Sequence, residues 1–449
     1  MEFLNDIMLW IAALLPDFKS WGIELSTVAM FATLLILLLT GMPLAFVTLL
    51  VALIFALGWF GPNAVPLITS RIFTFVNSFV FVSVPMFVLM AGILDRSGIA
   101  RDLFDAMRLF GGKLRGGVAI QTLFVAVILA AMSGIIGGEV VLLGMMALPQ
   151  MLRLGYDRKL AIGVCCAGGA LGTMIPPSIV LIIYGLTANV SIGDLFTASF
   201  VPGFMLASFY VAYVLIRSYS NPALAPVADY SDVDRAEVVR LLKGLFLPLL
   251  VVSFVLGSIY GGIASVTEAS AVGVLGVTLS TVIRREFSWS MLFAASRQTL
   301  STVGMIVWIG LGATALVGVF SLMGGIRFVE ELITGISDNR VIVLLFMMFI
   351  LFILGMFLDW VGIALLTLPI FVPIIITLGY DPIWFGVLFC MNMQVSFLSP
   401  PFGPAAFYLK SVAPADISLG EIFAGLLPFI GLQILAVAML ILFPWIAIH

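Results

Sequence analysis

The chain has 449 residues, 63% of them hydrophobic and 10% charged, with a formal net charge of −3. A soluble domain carries about 25% charged residues; here the mean hydropathy is +1.26, and apolar runs of roughly 20 residues recur along the whole length, each enough to cross a bilayer. These values predict an all-α polytopic membrane protein and exclude a transmembrane β-barrel, whose strands would alternate apolar and polar residues over only ~10 positions.

The net charge is too small to imply a partner. The only histidine is the last residue, His449. That removes Ser-His-Asp catalysis, histidine-ligated metal and a histidine proton relay together, so no enzyme is expected. Cys165, Cys166 and Cys390 lie in apolar runs, and their spacing fits neither a disulfide framework nor a metal site. No Gly-rich loop is followed by Lys-Ser or Lys-Thr, so the energy for any transport is expected to come from a source other than ATP. The N-terminus has no basic segment with a small-residue cleavage site, and no cleaved signal peptide is expected.

Residues 1–22 carry Asp6, Asp17, Lys19 and a Pro16 break, and read as an interfacial extension or a poorly formed extra span. Spans are expected over Ile23 to Thr40, Leu44 to Phe60 and Thr74 to Leu94, with loops at Gly41-Met42-Pro43 and Gly61-Pro62-Asn63. In the charged stretch that follows, Ile99, Leu103, Met107 and Phe110 recur at helical spacing between charged residues. This predicts an amphipathic helix over about 98–112, lying along the membrane surface. Arg96, Arg101, Arg108, Lys113 and Arg115 place that side in the cytoplasm.

The stretch 117–151 is apolar but interrupted at Ser133-Gly134 and Gly137-Gly138. Basic residues flank it on both sides, so it is expected to dip into the membrane and return as a re-entrant hairpin. Irregular backbone at that depth is allowed where protein or a watery cavity covers it. A broken span over about 160–184 follows, interrupted from Gly172 to Ser178. Leu195 to Ile216 returns to a hydrophilic cytoplasmic linker over 217–243.

The second half, 244–449, repeats the first, 23–216. Pro373, Asp381, Pro400 and Pro401 each lie 224 residues after Pro149, Asp157, Pro176 and Pro177. Ser191-Ile192-Gly193-Asp194-Leu195-Phe196 is echoed by Ser418-Leu419-Gly420-Glu421-Ile422-Phe423. The expected second-half elements are spans over Phe246 to Tyr260, Ser265 to Ile283 and Gln298 to Met323, then a surface helix at about 325–337. A hairpin at about 341–377, a broken span at about 382–408 and a last span over Ile422 to Ile446 complete it. The loop at 153–159 is basic, whereas its counterpart after Thr377 has no Lys or Arg. The two copies are therefore expected to face opposite leaflets, as an inverted repeat of about five spans and one hairpin each.

Breaking a helix in lipid frees backbone N–H and C=O groups, each costly if left unpaired. Breaks occur at Ser133-Gly138, Gly172-Ser178, Gly355-Gly362 and Asn392-Gly403, in repeat-related pairs. Any one Gly or Pro reads equally well as a packing or kink residue; four paired breaks point to a transport site. Freed carbonyls and hydroxyls suit Na⁺, and half-helix N-termini suit a carboxylate. One sodium site is expected at Ser133, Gly134, Gly172 and Thr173, and the other at Asp359, Asn392, Ser396 and Ser399. Substrate is expected between them, near Pro177, Ser178, Pro401 and Gly403. Asp359 and Glu139 are acidic residues near membrane depth, which makes them functional candidates. The alternative reading is that each lies shallower or caps a half-helix.

The Gly172-Thr173-Met174-Ile175-Pro176-Pro177-Ser178 stretch, Gly355-Met356-Phe357-Leu358-Asp359 and Ser399-Pro400-Pro401-Phe402-Gly403 resemble the large membrane subunit of tripartite ATP-independent periplasmic (TRAP) transporters, within the ion-transporter superfamily. The resemblance runs from about residue 23 to the end. It implies a sodium-driven secondary transporter in which a transport domain slides, elevator-like, against a scaffold. It implies as partners a small four-helix membrane subunit and a periplasmic substrate-binding protein, in a bacterial inner membrane. Implied substrates are organic acid anions, including dicarboxylates, sialic acid and 2-oxo acids. The first hairpin tip departs from the commoner family pattern of small hydroxyl residues after Ser-Gly: here Ile135-Ile136-Gly137-Gly138-Glu139 follows. Such a tip resembles a subgroup labelled for mannitol or chloroaromatic acids. The alternatives are a stand-alone sodium/divalent-anion symporter without a binding protein, a channel, and a membrane-embedded enzyme.

Overall fold

The computed structural model describes residues 9–448 apart from 11, 112–113, 135–136 and 228–234; His449 and Asp6 lie outside the described residues. In the first half the helices are α1 (Gly22–Leu39), α2 (Leu44–Phe60), α3 (Ala64–Val76), α4 (Ser83–Arg96), α5 (Ile99–Gly111), α6 (Gly117–Ser133), α7 (Gly138–Arg153), α8 (Arg158–Ala170), α9 (Ile179–Ala188) and α10 (Ile192–Ser220). The second half continues with α11 (Arg235–Tyr260), α12 (Val266–Ile283), α13 (Trp289–Leu322), α14 (Gly325–Thr334), α15 (Arg340–Gly355), α16 (Trp360–Thr377), α17 (Pro382–Leu398), α18 (Pro404–Lys410) and α19 (Leu419–Leu442).

The order of elements in the second half follows that of the first, with α13 continuous where the first half has α3 and α4. Eight helical segments among the described residues are long and apolar enough to cross a membrane, so this is a multi-pass membrane protein. Shorter apolar helices include α6, α9, α15 and α17, which belong to the interrupted segments.

The caps explain why the helices start where they do. Asp157 accepts from Leu160 N–H (2.9 Å) at the start of α8. In the echoed motifs, Ser191 accepts from Asp194 N–H (3.2 Å) and Ser418 from Glu421 N–H (3.1 Å), opening α10 and α19 alike. Glu268 closes a capping box with Ser265 at the start of α12.

Four stretches differ from the sequence reading. Residues 64–76 are helical, and the interruption falls at Asn77–Val82, because Pro66 sits in the first helical turn, where a missing N–H costs nothing. The hydrophilic linker is shorter than 217–243: α10 continues to Ser220 and α11 begins at Arg235, where Arg235-Ala236-Glu237-Val238-Val239 is made of residues a helix tolerates. The break expected over Asn392–Gly403 starts later, because Asn392–Leu398 continue α17 with no Gly or Pro among them. Within the N-terminal extension, Phe18 is buried and stacks on Phe55 with ring centroids 4.3 Å apart.

The chain forms two compact units, each drawing on both halves. The first comprises Met1–Phe81, Ser301–Phe349 and Leu358–Pro382. Its helices approach closely at glycines: Gly310 lies against the Phe75 ring and Gly312 against Thr48. Phe31–Phe320 and Phe46–Trp308 ring pairs fill the same layer. The amphipathic α14 packs on α16, where Thr377 Oγ1 donates to Glu330 (2.9 Å).

The second unit comprises Val82–Leu300, Ile350–Phe357 and Ile383–His449. Here α8 is the central helix, buried along its apolar length against α6, α7 and α19. Gly163 and Gly425 let α8 and α19 close to backbone contact beside Phe429. The other amphipathic helix, α5, packs on α6 and α11, and Gln121 Nε2 donates to Phe104 O (2.7 Å). The side chains of Met107 and Phe110 are outside the described set. At its start, α5 is tied to the loop after α12: Arg284 pairs with Asp102 and with Glu286 (3.0 Å), and Gly98 N–H donates to Glu286 (3.2 Å).

Candidate functional site

The first interrupted span leaves α8 at Ala170, makes a 3-10 turn over Leu171–Thr173 and restarts as α9 at Ile179. Met174 and Ile175 N–H groups both donate to Leu171 O, at 2.9 and 3.0 Å. Thr173 Oγ1 donates to Ala170 O (3.0 Å) and Ser178 Oγ to Thr173 O (2.7 Å). Each hydroxyl keeps lone pairs for a further ligand after donating its hydrogen. The first turn of α9 has no side-chain cap, so its N–H groups carry the partial positive end of the helix uncompensated by a side chain.

The first hairpin tip meets this break. Gly134 has a left-handed backbone (φ +58°) and ends α6 with its N–H on Ala130 O (3.2 Å). A Cβ on Gly134 would stand 2.2 Å from Pro177 O, so only glycine allows this approach. Ile179 N–H donates back to Gly134 O at 3.4 Å. The structure thus brings Ser133, Gly134, Gly172, Thr173, Pro177 and Ser178 together in the second unit. It adds Glu139, which accepts a hydrogen bond from Ser133 Oγ. The Glu139 carboxylate fills the space where a Gly172 side chain would stand: a Cβ there would be 2.7 and 3.0 Å from its two oxygens. Nothing in the sequence pairs residues 139 and 172; the contact exists only because α7 folds back on α8.

The second interrupted span ends α17 at Leu398 and restarts as α18 at Pro404. Both Pro-Pro peptides, Pro176–Pro177 and Pro400–Pro401, are cis. Asn392 and Ser396 lie on successive turns of α17, and Ser399 follows at its end. Ser396 Oγ lies 3.2 Å from Phe352 O and 3.3 Å from Asn392 O, and Ser399 Oγ donates to Val395 O (2.7 Å). Gly403 N–H donates to Ser399 O (2.9 Å), and a Cβ on Gly403 would meet that carbonyl at 2.8 Å. Phe402 packs on Phe357, ring centroids 5.7 Å apart. Asp359 belongs to the first unit. Its carboxylate is the N-cap of α16, accepting from Val361 N–H (3.0 Å), and the residue is exposed. Helix capping, one of the two readings open in the sequence, therefore accounts for one of its oxygens.

Within the second unit the two interrupted spans lie side by side. Cys166 of α8 donates to Ala405 O of α18 (3.7 Å), while Tyr184 of α9 packs on Phe385 and Phe389 of α17. The Tyr408 ring of α18 covers Gly137 at the first hairpin tip. The breaks differ in exposure: Pro177 and Ser178 are buried, whereas Pro401 is exposed and Gly403 buried. Among the described residues no group of three or more His, Cys, Asp or Glu side chains is placed to hold a metal ion.

An all-helical, multi-pass protein with polar interruptions gathered in its interior belongs, as a class, with membrane transporters. Residues 31–446 match the family described as tripartite ATP-independent periplasmic transporter, DctM component, and the chain belongs to that family. The isethionate TRAP transporter permease protein DctMQ of Oleidesulfovibrio alaskensis is 29% identical over 81% of this chain, which spans only 56% of that relative's length. The C4-dicarboxylate TRAP transporter large permease protein DctM of Pseudomonas aeruginosa is 30% identical, over 85% of this chain and 88% of the relative. The solved structure of MtrF from Neisseria gonorrhoeae matches with a TM-score of 0.63, covering 85% of each chain at 15% identity, and so shares the fold.

Proposed function

We propose that this chain is the large transmembrane subunit of a sodium-coupled secondary transporter that imports a small organic acid anion across a bacterial inner membrane. A periplasmic binding protein delivers the anion, and a small four-helix membrane subunit completes the assembly. The observation that carries this reading is the meeting of hairpin tip and broken span at Gly134 and Pro177, with uncapped α9 N–H groups beside it. Unwound carbonyls and hydroxyls there are ligands of the kind a sodium ion takes, and the α9 N-terminus suits a carboxylate.

The opposed run of the broken spans supports an inverted repeat. The leading helix of one, α8, lies beside the trailing helix of the other, α18, and α9 lies beside α17. Inverted pairs of this kind underlie alternating access by rocking or sliding of one domain against another, here read as an elevator. The substrate class follows the printed names of the relatives, one of which takes C4-dicarboxylates.

The test is reconstitution. Proteoliposomes holding this chain and its small membrane partner should accumulate a labelled organic acid anion only when the cognate binding protein is added on the outside. Accumulation by this chain alone would overturn the tripartite reading in favour of a stand-alone symporter.

A further inference from the structure

We propose that Glu139 is a direct, negatively charged ligand of the first sodium site, so that the ion bound there neutralises a buried carboxylate. The proposal rests on the sodium coupling set out above and goes beyond it by assigning a residue that the spacing of the breaks does not reach.

Glu139 sits in the first turn of α7 and is 2% exposed. One of its oxygens accepts from Ser133 Oγ across the hairpin tip. The other, Oε2, is buried without a hydrogen-bond partner. Both oxygens press against Gly172, at the start of the break in the first interrupted span. The free oxygen therefore lies between the hairpin tip and the interrupted backbone, where the sodium ligands are expected. A second carboxylate approaches the same turn: Asp95 Oδ2 lies 3.3 Å from where a Cβ on Gly138 would stand.

An unpaired buried carboxylate is far more costly than an unpaired hydroxyl or amide, and the cost is removed by a proton or by a bound cation; the seat of Oε2 between the hairpin tip and the Gly172 break is where a cation can reach it. The simpler reading is a staple: Glu139 holds the two hairpin arms together through Ser133 and favours the α7 N-terminus by its charge. That role uses one oxygen and accounts for neither the second oxygen nor its seat on Gly172. In the other expected group, Asn392, Ser396 and Ser399 are uncharged, and its one acidic member, Asp359, is exposed and caps α16. The Glu139 carboxylate is buried, so solvent screens its attraction for a cation less, and the first site should bind more tightly and discriminate more sharply among small cations.

The experiment is equilibrium ²²Na⁺ binding to the purified full-length chain in nanodiscs, with choline as the balancing cation. Wild type should bind Na⁺, and Glu139→Gln should weaken the tighter class of sites by roughly tenfold or more, the loss expected when a charged ligand becomes neutral. Glu139→Asp keeps the charge on a shorter arm, and should retain that class with a changed preference between Na⁺ and Li⁺. Glu139→Gln binding with wild-type affinity and stoichiometry would overturn the assignment. If Glu139→Gln does not fold, Glu139→Asp with unchanged affinity and ion preference overturns it equally. Absence of Na⁺ binding in the wild type would instead overturn the sodium coupling itself.

Discussion

Gly134 and Gly324 share a left-handed backbone, with φ of +58° and +87°, but only Gly134 has a neighbour in the way. A Cβ on Gly324 meets nothing within 4 Å, whereas one on Gly134 meets Pro177 O. Gly324→Ala should cost only the left-handed penalty, about 1 kcal/mol. Gly134→Ala should add a backbone clash and Gly172→Ala a clash with Glu139, each costing about 2 kcal/mol or more. Thermal unfolding midpoints in one detergent check the order: a small drop for Gly324→Ala and larger drops for the other two. Equal drops would mean that the tip does not approach the break. Of the residues gathered at the interruptions, those marked by Gly, Pro and hydroxyl groups are legible from the chain alone, because backbone breaks have a compositional signature. The pairing of Glu139 with Gly172 is not, since it depends on a tertiary contact. Asp359 was legible as a candidate, but its cap on Val361 N–H is a matter of local geometry that residue type leaves open.

At the scale of elements, helix ends follow the punctuation of the sequence where Gly or Pro supplies it. The interruptions at Gly134 and at Gly172–Ser178 are read directly from it, whereas the break expected over Asn392–Gly403 is confined to Ser399–Gly403 because no Gly or Pro precedes Ser399 there, and the end of α3 at Val76 has no such mark, so the span expected from Thr74 runs through it. The start of the amphipathic α5 is tied by charge. Hydrogen bonds from the Arg284 guanidinium hold the Glu286 carboxyl below its ordinary value of 4.5, and Gly98 N–H adds to this. A carboxyl depressed in the folded protein contributes stability that is present above its unfolded value. That contribution fades as pH falls through the folded value. Thermal unfolding between neutral pH and about pH 4 should therefore show an acid-side loss that shrinks in Glu286→Gln. An identical acid-side profile in the variant would mean that the Arg284–Glu286 tie does not hold α5.

For the whole molecule, the repeated order of helices gives the second half the parts of the first, and the charge of the loops predicts that the two copies face opposite sides. Lys159 and Asp381 are exposed and lie at corresponding places after the two hairpins. Single Lys159→Cys and Asp381→Cys variants should react with a membrane-impermeant maleimide from opposite sides of the inner membrane, with Cys165, Cys166 and Cys390 silent because they are buried. Labelling of both from one side would rule out the inverted arrangement. The most direct test of the account is uptake driven by an imposed ion gradient in proteoliposomes containing the complete assembly. An inward Na⁺ gradient should drive accumulation of the organic anion above its equilibrium level, and an equal K⁺ gradient should not. Accumulation that is the same with either cation would contradict sodium coupling, and with it the assignment of the broken spans as ion sites.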